Sequence, residues 1–320
     1  MKRIAWMGAG LLMCGSLSLM ATPVDLKVLP GTARWIVHLD MEKLLQSEVG
    51  KMAQQAIQGK PQEARIKALE AMTSVNLLRD VHGLTVCGQG ASQDGATVLV
   101  RGRFDEQRLV TILAAADGYA QTAYGTRSIH GWNDKNSKTT GRTYGAFGAQ
   151  NLIVMSDRPE SVQAALDVLD GKRASLATAG TFSKTSVPGA GFMFLATAKG
   201  LRDMEAIHPK AVVMKQVDDM TLTLGEKGNA LVLAANVTAV SAEAVTQIQQ
   251  VVAGFQAMAL LGAENKPEMV DLAKSLTFTA NDRTLQMEMS CPVQTVIQMI
   301  RSKIAEDAQA KPAPSAPTTP

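Results

Sequence analysis

Aromatic residues are scarce in this chain, at 4% of its 320 residues. Cysteines number only three and histidines four. No dense block of lysine and arginine occurs, so neither a nucleic-acid footprint nor an anionic-membrane footprint is present. The common catalytic signatures are missing as well. There is no Gly-x-Ser-x-Gly, no Ser-x-x-Lys, no His-Glu-x-x-His and no phosphate-binding glycine loop. Gly88-Gln89-Gly90 lacks a third glycine and does not open a helix. No cofactor is implied by these residues.

The N-terminus is the strongest single signal. Met1-Lys2-Arg3 is basic, Ile4 to Met13 is apolar, and small and polar residues lead to Ala21 and Pro23. That order predicts a secretory signal peptide over 1–21 and a periplasmic or secreted protein. The apolar run is too short for a dedicated membrane span. A signal left uncleaved would act as an anchor, a minor alternative. Cys14 does not suggest a lipid anchor, because Met13 stands where a small residue is expected. Without Lys2 and Arg3 the mature chain carries 30 basic and 29 acidic side chains, close to neutral. Cys87 and Cys291 remain after the leader. An oxidising compartment permits a disulfide, but two small buried apolar residues are the preferred reading.

The mature part reads as one plan written twice. Leu29-Pro30-Gly31-Thr32 and the strand after it have a partner in Val187-Pro188-Gly189-Ala190 and its strand. Two later pieces recur in the same order, a hairpin and then a strand leading into a Pro-initiated helix at Pro159 and Pro292. Internal similarity at this scale sets the expected architecture. The prediction is an α+β fold of two tandem β-α-β-β-α-β-β-α repeats, 24–172 and 173–308. Antiparallel sheets with helices on one face are expected, ferredoxin-like in general plan. Residues 309–320 are rich in Pro, Ala and Thr and read as a disordered tail.

Leu29-Pro30-Gly31-Thr32, the strand closing on His38-Leu39-Asp40 and the helix after it resemble the opening of a group of uncharacterised exported bacterial proteins. Those carry Leu-Pro-(Gly/Ala)-Thr, an apolar strand, an Asp and a helix, then β-hairpins. The resemblance implies an exported α+β protein and brings no active site with it.

Candidate chemistry is thin. His38 and Asp40 share one strand face, and with His82 they form a weak metal-binding alternative. Asp40 as a helix N-cap and His38 at the sheet margin is the plainer reading. The segment 117–147 stands out more. It holds all three tyrosines of the chain. Tyr119, Tyr124, Arg127, His130, Trp132, Arg142 and Tyr144 form the candidate binding set, because aromatics with polar tips beside arginine build recognition surfaces. Strand preference for aromatics accounts for such clustering too. The helix from Ala242 to Leu261 carries a wide apolar stripe, read as core or as a helix–helix contact. The expected function is an exported, non-enzymatic protein that binds an envelope protein or a carbohydrate. A periplasmic hydrolase or metal-dependent enzyme with a site between the repeats is one alternative, and a structural or assembly role is another.

Overall fold

A computed structural model describes residues 24–90, 92, 94–134, 141–149, 151–182, 191–204, 215–262 and 267–309. The expected leader (1–21) and all but the first residue of the expected tail (309–320) lie outside them. The described strands are β1 (Trp35–Asp40), β2 (Val81–Gly88), β3 (Thr97–Gly102), β4 (Ala120–Tyr124), β5 (Arg127–Asn133), β6 (Arg142–Gly148), β7 (Leu152–Ser156), β8 (Phe194–Lys199), β9 (Val217–Lys227), β10 (Ala230–Ala239), β11 (Thr277–Asn281) and β12 (Thr284–Pro292). The helices are α1 (Met41–Gln46), α2 (Glu48–Ile57), α3 (Pro61–Thr73), α4 (Leu77–Asp80), α5 (Glu106–Ala114), α6 (Pro159–Leu169), α7 (Leu176–Ala179), α8 (Ala242–Gly262), α9 (Pro267–Ser275) and α10 (Val293–Gln309).

Local signals set the helix starts. Asp40 caps α1 by accepting from the Lys43 N–H at 2.9 Å. Ser47 ends α1 and caps α2, and Asp105 caps α5 through the Arg108 N–H at 3.0 Å. Each replaces a hydrogen bond that the first helical turn leaves open. Proline opens α3 and α6, where its missing N–H costs nothing.

All twelve strands form one antiparallel sheet in the order β11-β12-β10-β9-β8-β1-β2-β3-β7-β6-β5-β4. β1 and β8 meet at its centre, with Trp35 opposite Ala198 and Leu39 opposite Phe194. Outward from that pair run β1, β2, β3, β7 on one side and β8, β9, β10, β12 on the other. The ferredoxin-like expectation is corrected here. A split β-α-β unit makes its two strands parallel, with room for another between them. β1 and β2 are instead adjacent and antiparallel. The helices between them are therefore an excursion at one end of the sheet, not a crossover over its face.

The expectation of helices on one face is corrected too. Alternation along β1 sends Ile36 and Trp35 to opposite faces. On the Ile36 side, Leu99, Val154, Ala146 and Ile129 pack under α6 through Val162, Ala165 and Leu166. On the Trp35 side, Val237 and Leu285 pack under α8 through Ala244, Val245 and Ile248. Each half buries a different face, because β1 offers apolar side chains in both directions. Beyond the expected boundary at 172, Leu176 and Phe182 still belong to the first of these cores.

A charged knot ties α4 to the sheet. Asp80 accepts from the Arg79 guanidinium and from the Asn76 N–H, each at 2.9 Å. Arg103 lies 3.5 Å away. The Arg79 hydrogen bond, more than any other contact, holds the Asp80 carboxyl down to about 2. Its stabilisation is therefore present above the ordinary carboxylate range, about 3.9, and lost as pH falls toward 2. Melting temperatures of the parent and of Asp80→Asn are expected to differ at pH 6 and to converge as pH falls to about 2. A constant gap across that range would contradict the assignment.

Candidate functional site

The aromatic segment folds into β4, β5 and β6 at one end of the sheet. Gly125 and Thr126 form the two-residue turn between β4 and β5, and Gly125 takes a φ of 59°, the left-handed conformation such a turn needs. Register then decides which side chains can meet. His130 lies opposite Gln121 and Gly145, and Trp132 lies opposite Thr143. Tyr124 lies opposite Arg127, and Tyr144 lies opposite Gly131. With a side-chain period of two, His130 and Trp132 share one face, while Tyr124, Arg127, Arg142 and Tyr144 share the other.

The seven candidate residues are thus divided. On the α6 side the Tyr124 hydroxyl donates to Asp167 at 3.0 Å, and Arg127 pairs with Asp170. Arg142 stacks over the Tyr144 ring at 5.8 Å and donates to the Gly118 carbonyl at 3.1 Å. The pairs from Tyr124 and Arg127 fasten the end of the sheet to α6. On the opposite side Tyr119 and His130 come together. The Tyr119 hydroxyl lies 2.9 Å from His130 Nδ1, with the rings stacked at 6.0 Å. Phe147 meets the imidazole edge-on at 6.2 Å. Trp132 lies on this face as well, over Gly145.

His130 forms part of the wall of an open recess of about 790 Å³ between α5 and the sheet. Glu106, Gln107 and Thr111 line it from α5, Gln121 and Ser128 from the strands, and Phe147 from the end of β6. Gln121 donates to the Ser128 hydroxyl at 2.8 Å, which lays its side chain over this face. Burial pushes the His130 pKa below its ordinary value, with the Glu106 charge opposing. The imidazole is therefore neutral at neutral pH, with one nitrogen to donate and one to accept. Carboxylate, amide, hydroxyl and imidazole groups beside an aromatic edge are the donors and acceptors that fix a polar ligand. The α5 contributors had a readable signal. Gln107, Val110 and Thr111 recur at helical spacing on a stripe separate from Leu109, Ile112 and Leu113.

The weaker candidates are spent on structural ties. His38 Nδ1 lies 2.8 Å from the Thr85 hydroxyl, and Asp40 caps α1. His82 Nδ1 lies 2.5 Å from Glu42. Among the described residues, no group of three or more His, Cys, Asp or Glu side chains is placed to hold a metal ion. Cys87 and Cys291 are buried and free, and burial pushes the Cys87 thiol up to about 12. A second recess, of about 550 Å³, lies near Gly88 and Gly95. Its arginines already face carboxylates, Arg158 toward Asp94 at 3.9 Å and Arg173 toward Asp167 at 3.2 Å.

No protein-family model matches the chain, and no curated protein matches it. Similar solved structures are crystal forms of TP0453. Form III has a TM-score of 0.46 at 13% identity, covering 87% of this chain and 98% of that one. Form IV has a TM-score of 0.45 at 12% identity, covering 88% and 97%. A likeness at that level carries no inference about function.

Proposed function

We propose that this is an exported, non-enzymatic binding protein of the cell envelope, and that the recess at His130 is where it holds its ligand. The observation that carries the reading is the Tyr119–His130 pair. It is a nearly buried imidazole (3% exposed), fixed by a phenol at the wall of an open recess lined by polar groups. The basic, apolar and small-residue order of the first 21 residues supports export. The matching outward strand orders on the two sides of β1 and β8 support an origin in two tandem repeats. The ligand class that fits is a glycan or peptide fragment of the envelope, with the aromatic edge for packing and the amides for orientation.

The test is an amide-resolved titration of the mature chain with soluble muropeptides. Perturbations are expected at 107–111, 121 and 128–130, and are expected to vanish in His130→Gln. Perturbations confined to other residues would overturn the site, and none at millimolar fragment would overturn the ligand class.

One observation favours an assembly role instead. Phe255, Met258 and Leu261 of α8 are 63%, 59% and 74% exposed, and contiguous exposed apolar surface marks contact sites. A monomer whose sedimentation is independent of concentration would count against that role.

A further inference from the structure

β4 is the last strand at its end of the sheet, and nothing in it discourages another strand. Ala120-Gln121-Thr122-Ala123-Tyr124 carries no charge and no proline, two of the devices that keep sheet edges unpaired. Its first four residues are exposed. The two-residue turn makes Tyr124 and Arg127 the hydrogen-bonded pair. Bonded pairs alternate in an antiparallel ladder, so Thr122 and Ala120 also bond inward to β5. The N–H and C=O groups of Gln121 and Ala123 then point away from the sheet, and no described strand lies beyond them. The side chains of Gln121 and Ala123, opposite His130 and Ser128, stand on the recess face. A strand added at β4 would place every second side chain on that same face, at the recess.

The charge in the recess is lopsided. Glu106 lines it from α5, while the guanidinium of Arg127, a residue that also borders the recess, is turned to the opposite face and paired with Asp170. We infer that an extended segment of a partner protein adds to β4 as a further strand and lays a lysine or arginine side chain into the recess toward Glu106. This rests on the recess being the binding site, and it names the partner as an extended basic polypeptide. Backbone pairing supplies the affinity and the recess supplies the choice of side chain.

Fluorescence anisotropy with labelled heptapeptides tests it, using Thr-Val-Lys-Val-Lys-Val-Thr and its glutamate counterpart against the mature chain. The lysine peptide is expected to bind at least tenfold more tightly than the glutamate peptide. Glu106→Gln is expected to shrink that ratio at least threefold. Ala123→Pro removes one outward N–H and leaves the inward ladder intact, a placement sheets tolerate. It is expected to weaken the lysine peptide at least tenfold. A lysine peptide N-methylated at alternate residues must lose binding to the same degree, and it needs no protein variant. Undiminished binding of the N-methylated peptide, equal binding of both peptides, or binding of neither would overturn the proposal. So would a concentration-dependent dimer abolished by Ala123→Pro, because the edge would then belong to a second copy. Muropeptide binding lost in His130→Gln, with neither heptapeptide bound, would sink strand addition and leave the recess standing. Muropeptide binding unchanged in His130→Gln would sink both.

Discussion

Leu166→Ala is expected to cost about 2–5 kcal/mol of stability, the range for emptying a leucine site in a close-packed core. Leu166 has no solvent exposure and lies in the cluster that joins α6 to Ile36, Leu99 and Val154. Those partners come from the sheet's central strands, which are held by backbone ladders on both sides and cannot move in to fill the space. The urea midpoint should fall while the slope of the transition stays the same. Met258→Ala is the matched control. Its side chain is mostly exposed, so its change should stay within about 0.5 kcal/mol. Equal losses from the two variants would contradict the placement of the core.

Gly50→Ala tests a conflict of signs. Inside a helix, alanine is favoured over glycine by about 1 kcal/mol, so helix propensity alone predicts a gain in α2. The structure reverses that expectation. A Cβ on Gly50 would lie 1.7 Å from the Leu44 carbonyl oxygen and 3.1 Å from the Ser47 hydroxyl. Both belong to the tight break between α1 and α2, where the Ser47 side chain accepts from the Gly50 N–H. Relief requires the break to open. That would shift Met52 out of its contact with Val293 and Ile297. A net loss of about 1–3 kcal/mol is expected, the usual range for overpacking. Gly254→Ala in α8 meets nothing within 4 Å and should show the propensity gain. A stabilised Gly50→Ala protein would mean that the break between α1 and α2 is not as described.

Features of the fold that depend on near neighbours were readable in the sequence. Pro159 marked the start of α6, Asp40 marked a cap, and the apolar strand after Leu29-Pro30-Gly31-Thr32 marked β1. Features that depend on pairing were not. β4 reads Ala-Gln-Thr-Ala-Tyr, with no alternation of apolar and polar residues, and it is a strand because β5 pairs with it. The ferredoxin-like order failed for a similar reason. Antiparallel adjacency of β1 and β2 is set by where a long excursion returns, and no local residue encodes that. The candidate binding set was legible as a composition and not as a site. Seven residues close in sequence lie on two faces of one sheet, and only Tyr119, His130 and Trp132 share the face of the recess. The α5 side of the recess was readable as a helical stripe at Gln107, Val110 and Thr111 but not as part of a site, because only tertiary placement sets it beside His130.

The most direct test is site-specific photocrosslinking in an envelope extract. The crosslinking residue is placed at Thr111, in the recess, or at Gln250, on the exposed side of α8. Binding at the recess predicts discrete adducts from Thr111 that disappear when His130→Gln is added, and none from Gln250. Adducts from Gln250 alone, or Thr111 adducts unchanged by His130→Gln, would contradict it.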